Sequence, residues 1–471
     1  MTRWQLIALL SITTVAAAVI VPRLQASDDV DVEHRTALSD PARASEWSAT
    51  TPAPTASHID ALHIRAGLDR GVLSGGDSER YLVVEVSADE AEGRARMPVN
   101  LALVVDVSGS MSASRKMEYA YQAARELVDQ LDERDLFSLV AFDDVATTVL
   151  PPTPVADRAA LYQAIDGMYR GGGTDIYRGL NAGLLQLRHS EHPGAKRVVL
   201  LSDGQDSSSV SALASSAGAD LERGVTVSAL GVGLDFAPDK LMAIAAAGGG
   251  KYHYVDDPSA LSAMFQDELN RAGSVAARAA RIEIDVAEGV ELLEVYGYDG
   301  YSGGATDSGW SAFLGDVYSG QTRKIVARVR VPRGTPDGQV ATVRATFINP
   351  ALDQARAGDL AIDAAWGSPE AVSASADASL GLHAARAVAG LAMKQSSSLW
   401  SSGDADEAAA AARARIDELS LLGQLFGVEL VEQPLANLES LLARQDTVAF
   451  GSRDALEMGL SSQLRALGYM E

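Results

Sequence analysis

VNLALVVDVSGSMSASRKM, residues Val99 to Met117, is the stretch on which the fold turns. Its first half is a nearly unbroken apolar run, the pattern of a strand covered on both faces. The run breaks into Asp106-Val107-Ser108-Gly109-Ser110, one carboxylate and two hydroxyls at every second position. "KMEYAYQAARELVDQL" follows, with Met117, Ala120, Ala124, Leu127 and Leu131 on one helical stripe. A buried strand, a polar loop and an amphipathic helix are the first half of a βαβ unit.

Outward from there the alternation repeats between Pro98 and about Ala272. "LFSLVAFD", "KRVVLLSDG" and "VTVSALGVG" read as strands, separated by helices near "RAALYQAIDGM", "DIYRGLNAGLLQLRH", "SALASSAGADLER" and "DKLMAIAAAG". This predicts an α/β domain over residues 97–272, a doubly wound and mostly parallel sheet with helices on both faces. "ATTVLP", ending at Pro151, is expected as an antiparallel edge strand, where a proline costs no ladder hydrogen bond.

The flanks have another period. In "RYLVVEVSAD" Leu82, Val84 and Val86 alternate onto one face, and beyond Ala272 come "RKIVARVRVP", "VATVRATFINP" and "GDLAIDAAWG". These predict half-exposed antiparallel strands. Too few strands precede residue 97 to fold alone. Residues 58–96 and 274–366 are therefore expected to form one discontinuous antiparallel β-sandwich into which the α/β domain is inserted. Residues 370–471 are Ala-rich and predict a helical region, read as a docked hairpin. Residues 27–57, acidic and rich in Ser, Thr, Ala and Pro, predict a flexible linker.

The chain has 471 residues, 47% of them apolar, which is enough for several cores. Its formal charge of −24 opposes binding to nucleic acid or anionic lipid. With no cysteine, thiolate catalysis, zinc–thiolate sites and disulfides are excluded. Arg3 precedes an uncharged run, Trp4 to Val21, and "LQA" ends at Ala26. Residues 1–26 thus fit either a cleaved signal peptide or an N-terminal membrane anchor. Both readings predict export to the periplasm or cell surface, with membrane contact only through this segment if it is retained.

In an open parallel sheet, ligands gather outside the carboxyl ends of the strands. Two further loops of that kind carry oxygen donors: "GGGTD" with Thr174, and "LLSDGQD" with Asp203. Asp106, Ser108, Ser110, Thr174 and Asp203 are all hard donors and suit Mg²⁺, with Mn²⁺ or Ca²⁺ as alternatives. If hydroxyls bind the ion directly and carboxylates act through water, it keeps charge for an outside anion, most simply a partner protein's Asp or Glu. Rival readings fail on residue type. An EF-hand needs glycine at the sixth loop position and Glu at the twelfth, where Met111 and Met117 stand. "SGSMS" is not the G-x-S-x-G of a serine hydrolase. Asp175 is expected to cap a helix, Asp206 to be a solvated loop residue, and His189 and His192 to lie on the surface.

"DVSGSMS", the distant "GGTD" threonine and the "SDG" aspartate resemble the metal-ion-dependent adhesion site of the von Willebrand factor type A family. The resemblance covers residues 97–272 and carries the family's ligands onto the same five residues. The flanking strands and N-terminus are similar to bacterial proteins related to inter-alpha-trypsin-inhibitor heavy chains. Such members are sometimes labelled calcium-activated chloride channel homologues, but one hydrophobic segment gives no support to a channel. The resemblance implies a non-enzymatic, cation-dependent protein-binding module of the cell envelope. The alternative is an envelope structural or assembly factor whose metal only stabilises the fold.

Overall fold

The computed structural model describes residues 51–466, apart from 77, 91–95, 170, 204–205, 233–237, 256, 298–302, 449–453, 455–457, 460 and 464. The expected signal or anchor and most of the expected linker lie outside the described residues. The first strands are β1 (Thr55–Ile59), β2 (Leu62–Leu68), β3 (Val72–Leu73) and β4 (Ser78–Ala88). Strand β1 pairs with β2 from Thr55 onward, so the sheet begins inside the segment expected to be linker. The correction has a local cause. The Thr55 hydroxyl donates to the Ala361 carbonyl at 2.7 Å, and Ile59 packs on the apolar core, so this stretch gains enough contact to order.

The α/β unit follows, with β5 (Val99–Asp106), α1 (Lys116–Gln130), β6 (Leu136–Phe142), β7 (Ala146–Pro154), α2 (Arg158–Asp166) and α3 (Ile176–Arg188). It continues through β8 (Ala195–Ser202), α4 (Val210–Gly218), β9 (Val225–Val232), α5 (Pro238–Ala247), β10 (Gly249–Val255) and α6 (Leu261–Gly273). The sheet order is β10-β9-β8-β5-β6-β7, parallel except for the edge strand β7. Every residue of β5 is buried. Leu101, Leu103 and Val105 face the layer of α1, α2 and α6, while Ala102 and Val104 face α3, α4 and α5. Strand β5 lies between β6 and β8, so the order reverses there and opens a crevice at its carboxyl end.

The remaining strands are β11 (Val275–Val286), β12 (Glu291–Tyr296), β13 (Gly303–Ala305), β14 (Gly309–Tyr318), β15 (Thr322–Val331), β16 (Gly338–Asn349) and β17 (Gln354–Trp366). One antiparallel sheet has the order β1-β2-β4-β15-β12, the other β13-β14-β11-β16-β17-β3. Each draws strands from both sides of the α/β unit. The central pairing is β4 with β15, in unbroken register from Ser78↔Val331 to Ser87↔Thr322. Leu82, Val84 and Val86 share one core with Ile325, Ala327, Ile282 and Val343.

Helices α7 (Pro369–Ala374), α8 (Ala378–Ser401), α9 (Ala405–Phe426) and α10 (Val428–Gln445) follow, and further helical residues between 454 and 466 add Met458 and Ala466 to their core. The expected hairpin is corrected to a three-helix layer of α8, α9 and α10. The first sheet is not half-exposed either. Tyr81, Val83, Tyr296 and Val326 on its outer face pack against Leu380, Ala384 and Val388 of α8. Glu418 of α9 accepts hydrogen bonds from the hydroxyls of Tyr81 and Tyr296. No helix among the described residues is long and apolar enough to cross a membrane.

Helix α3 lies unusually close to the sheet. A Cβ on Gly183 would stand 2.3 Å from a Val104 methyl, and one on Gly179 2.5 Å from the Phe142 ring. Gly183→Ala is therefore expected to lower the unfolding free energy by about 1–3 kcal/mol, as overpacking does, measured by urea denaturation. An isolated fragment 97–273 should unfold cooperatively. A 274–366 fragment should not, because β15 loses its partner β4 along its whole length.

Candidate metal centre

The carboxylate of Asp106 ends β5 and is fully buried. One oxygen accepts the backbone N–H of Ser108 at 2.9 Å; the other accepts the Ser202 hydroxyl at 2.6 Å. It thus closes its own loop and ties it to β8, whose next residue is Asp203. The loop itself is a short 3-10 helix, Gly109–Arg115, and Arg115 takes the left-handed conformation (φ 58) where it joins α1. The Ser108 and Ser110 hydroxyl oxygens stand 3.1 Å apart. Gly171 donates to the Val107 carbonyl at 3.0 Å, and Gly109 to the Gly172 carbonyl at 3.3 Å. These two bonds lock the loop carrying Thr174, a half-buried residue, against the loop carrying the serines. The Asp106, Ser108, Ser110 and Asp203 side chains gather at the crevice, with the Thr174 loop bonded beside them.

Burial pushes the Asp106 carboxyl up to about 6, and the Asp203 charge adds to this against the opposing hydrogen bonds. Two acidic groups in so dry a place call for a cation. Lys116 at the start of α1 supplies one, its ammonium 3.0 Å from Asp203 Oδ2. Asp203 Oδ1 is buried and has no hydrogen-bond partner. An orphaned buried carboxylate oxygen and two hydroxyls at the same strand-end crevice fit a divalent ion. Ligands roughly 2.0–2.1 Å from Mg²⁺ in octahedral geometry lie about 2.9 Å apart when adjacent, close to the serine spacing. The ion would supply a positive centre at the crevice, held by this chain's own hydroxyls and carboxylates.

Other residues were only partly visible in the sequence. Asp175 does cap α3, accepting the Arg178 N–H at 2.9 Å. Asp206 is not merely solvated: its carboxylate accepts from the N–H groups of Ile176 and Ser208, bracing the α3 start against the Asp203 loop. Asp144, after β6, accepts the Gly173 N–H at 2.9 Å, and side chains of Asp143 and Asp144 fill the space where a Cβ on Gly172 would go. The signal for that role was the carboxylate pair opposite a triple glycine. His192 is committed to backbone, with Nε2 donating to the Arg134 carbonyl at 2.6 Å and Nδ1 accepting from Gly194.

Comparison with known proteins places the architecture. Residues 100–267 match the sequence model of the von Willebrand factor type A domain. They form such a domain, abbreviated VWA. An uncharacterized Synechocystis protein is 32% identical over 222 residues, 46% of this chain and 52% of that protein. Human inter-alpha-trypsin inhibitor heavy chain H4 is 35% identical over 118 residues, 24% of this chain and 12% of that one. The chain thus spans about half or less of these relatives' length. A solved structure described as von Willebrand factor type A from Catenulispora acidiphila superposes with a TM-score of 0.63 at 21% identity, covering 88% of this chain and 98% of that one. That likeness shows that the fold extends beyond the VWA domain. VWA domains are often protein-interaction modules with a divalent metal site.

Removing the Asp106 carboxylate takes away a charge and the acceptor shared by the Ser202 hydroxyl and the Ser108 N–H. With Mg²⁺ at 100 times its dissociation constant, the wild type should gain about 2.7 kcal/mol. Asp106→Ala should gain none, as read from unfolding midpoints with Mg²⁺ and with EDTA.

Proposed function

We propose that the chain is a non-enzymatic, divalent-cation-dependent protein-binding module of the cell envelope. Mg²⁺ is the preferred ion, with Mn²⁺ or Ca²⁺ as substitutes. Asp106, Ser108, Ser110, Thr174 and Asp203 hold it, and a partner's Asp or Glu carboxylate completes the grip. The observation that carries this reading is the state of Asp106. Both its oxygens are already hydrogen-bonded, to Ser108 and Ser202, so it acts through the loop more than as a direct donor. The neutral hydroxyls are then the donors nearest the ion, and a cation among neutral donors retains charge for an outside anion. The −24 net charge opposes acidic partners that lack a matched contact. Export rests on the apolar run Trp4 to Val21.

The second reading, an assembly factor stabilised by its metal, is favoured by the same bonds, because they also hold two loops and two strands together. Partner affinity separates the two. A binding protein recovered from envelope extract would be titrated against the wild type with Mg²⁺, against the wild type with EDTA, and against Thr174→Ala. Thr174 is a half-buried loop residue, so its loss should leave the fold intact. Binding should weaken about tenfold or more, or 1.4 kcal/mol, in both the EDTA and variant arms. Equal affinity in all three sinks the adhesion reading and leaves the metal a structural role.

A further inference from the structure

A different cluster, on the sandwich, carries a different chemistry. Strands β1 and β2 are joined by a tight turn at Asp60–Ala61, with Asp60 in the left-handed region (φ 58). The register places His58 directly across from His63. Directly opposed residues have Cβ atoms about 4.5–5.5 Å apart on one face. Here the rings stack, with centroids 4.0 Å apart and planes within 4°. Asp89 follows β4, the next strand over. Its backbone is pinned on both sides: its N–H donates to Ala61, and its carbonyl accepts from the Gly320 N–H and the Ser319 hydroxyl. Its carboxylate faces both rings, Oδ1 at 2.6 Å from His63 Nε2 and Oδ2 at 3.6 Å from His58 Nε2.

We propose that His58, His63 and Asp89 bind a borderline transition-metal ion, Zn²⁺ or one of its neighbours, at a site separate from the VWA crevice. The donors dictate the ion. Imidazole nitrogen suits Zn²⁺, Ni²⁺ and Cu²⁺, whereas Mg²⁺ prefers oxygen donors throughout. The spacing also fits. Ligands roughly 2.0–2.1 Å from a tetrahedral ion lie about 3.4 Å apart, between the two observed nitrogen–oxygen distances. The donor atoms of the stacked rings and the carboxylate already lie within 4.8 Å of one another, so side-chain rotation can bring the rings onto one ion. They have room, since the two side chains are 54% and 52% exposed. Three protein donors leave a position for water or an incoming ligand. A bound ion would staple the β1–β2 hairpin to the end of β4.

The comparison within the molecule is the set His253, Asp267 and Glu268, in which Glu268 is buried and Asp267 exposed. There both Glu268 oxygens are taken, one by His253 at 2.8 Å and the other by the Ser228 hydroxyl at 2.5 Å. Those bonds tie α6 to β9 and β10 and occupy both oxygens of the one buried carboxylate in the set. At the hairpin the donors are accessible, and the two imidazoles and the carboxylate face one another.

The test is calorimetric titration of the metal-free full chain with Zn²⁺, in excess Mg²⁺ so that oxygen sites are filled. The wild type should bind Zn²⁺ in a saturable step, and Co²⁺ in its place should develop visible d–d absorption. His58→Ala/His63→Ala should lose at least about 100-fold in affinity, since even outer-shell changes at metal sites cost 10–100-fold. Its metal-free unfolding midpoint should match the wild type. Should that midpoint fall, Asp89→Asn reads the same site without touching the hairpin and should also bind Zn²⁺ more weakly. Absence of a saturable step in the wild type, or wild-type affinity in the variants, overturns the proposal.

Discussion

The burial of one carboxylate organises the functional end of this molecule. Asp106 sits at the end of a strand with no exposed residue, where an ionised group is costly unless its oxygens are occupied. Ser108 N–H and Ser202 Oγ occupy them, and in doing so fix the loop after β5 and hold it to β8. The other features of the crevice follow from that arrangement. Asp203 is brought in because it succeeds Ser202. Lys116 is drawn onto Asp203 because the first turn of α1 must start where the closed loop ends. The Thr174 loop is admitted because its glycines let backbone meet backbone.

A second constraint comes from the split sandwich. Strand β4 leaves for the α/β unit, and its partner β15 lies more than 230 residues further along the chain. The insertion must therefore return the chain near where it left, and the junction is fastened with polar groups. The Met97 N–H donates to the Gly273 carbonyl at 3.0 Å. Arg197 on β8 is buried, with its guanidinium on the Tyr318 hydroxyl and 3.9 Å from Asp316, both on β14. A charge so placed is costly to strip of its partners. The far end of the strand that presents Asp203 is thus anchored in the sandwich.

The two candidate cation sites differ in how they are built. The crevice places oxygen donors on loops at strand ends, oriented by buried hydrogen bonds. The hairpin places imidazoles on paired strands, oriented by register and by the Asp89 carboxylate, and open to solvent. The first is preorganised by the α/β sheet, whereas the second depends on a cross-strand pair and one pinned aspartate.

The sequence by itself determined the strand, loop and helix around Asp106, the parallel alternation, the edge strand at Pro151 and the cap at Asp175, because each is a local pattern of period, proline or capping residue. Three loops rich in oxygen donors were legible for the same reason. What covers each surface was not. Alternation assigns Leu82 and Tyr81 to opposite faces, but only the fold shows that α8 covers the second, turning an expected half-exposed sheet into a buried one. The bond from Lys116 to Asp203 spans 87 residues, and that from His63 to Asp89 spans 26. Such contacts leave no local period, since they depend on strand order and register, which only the packed tertiary structure decided.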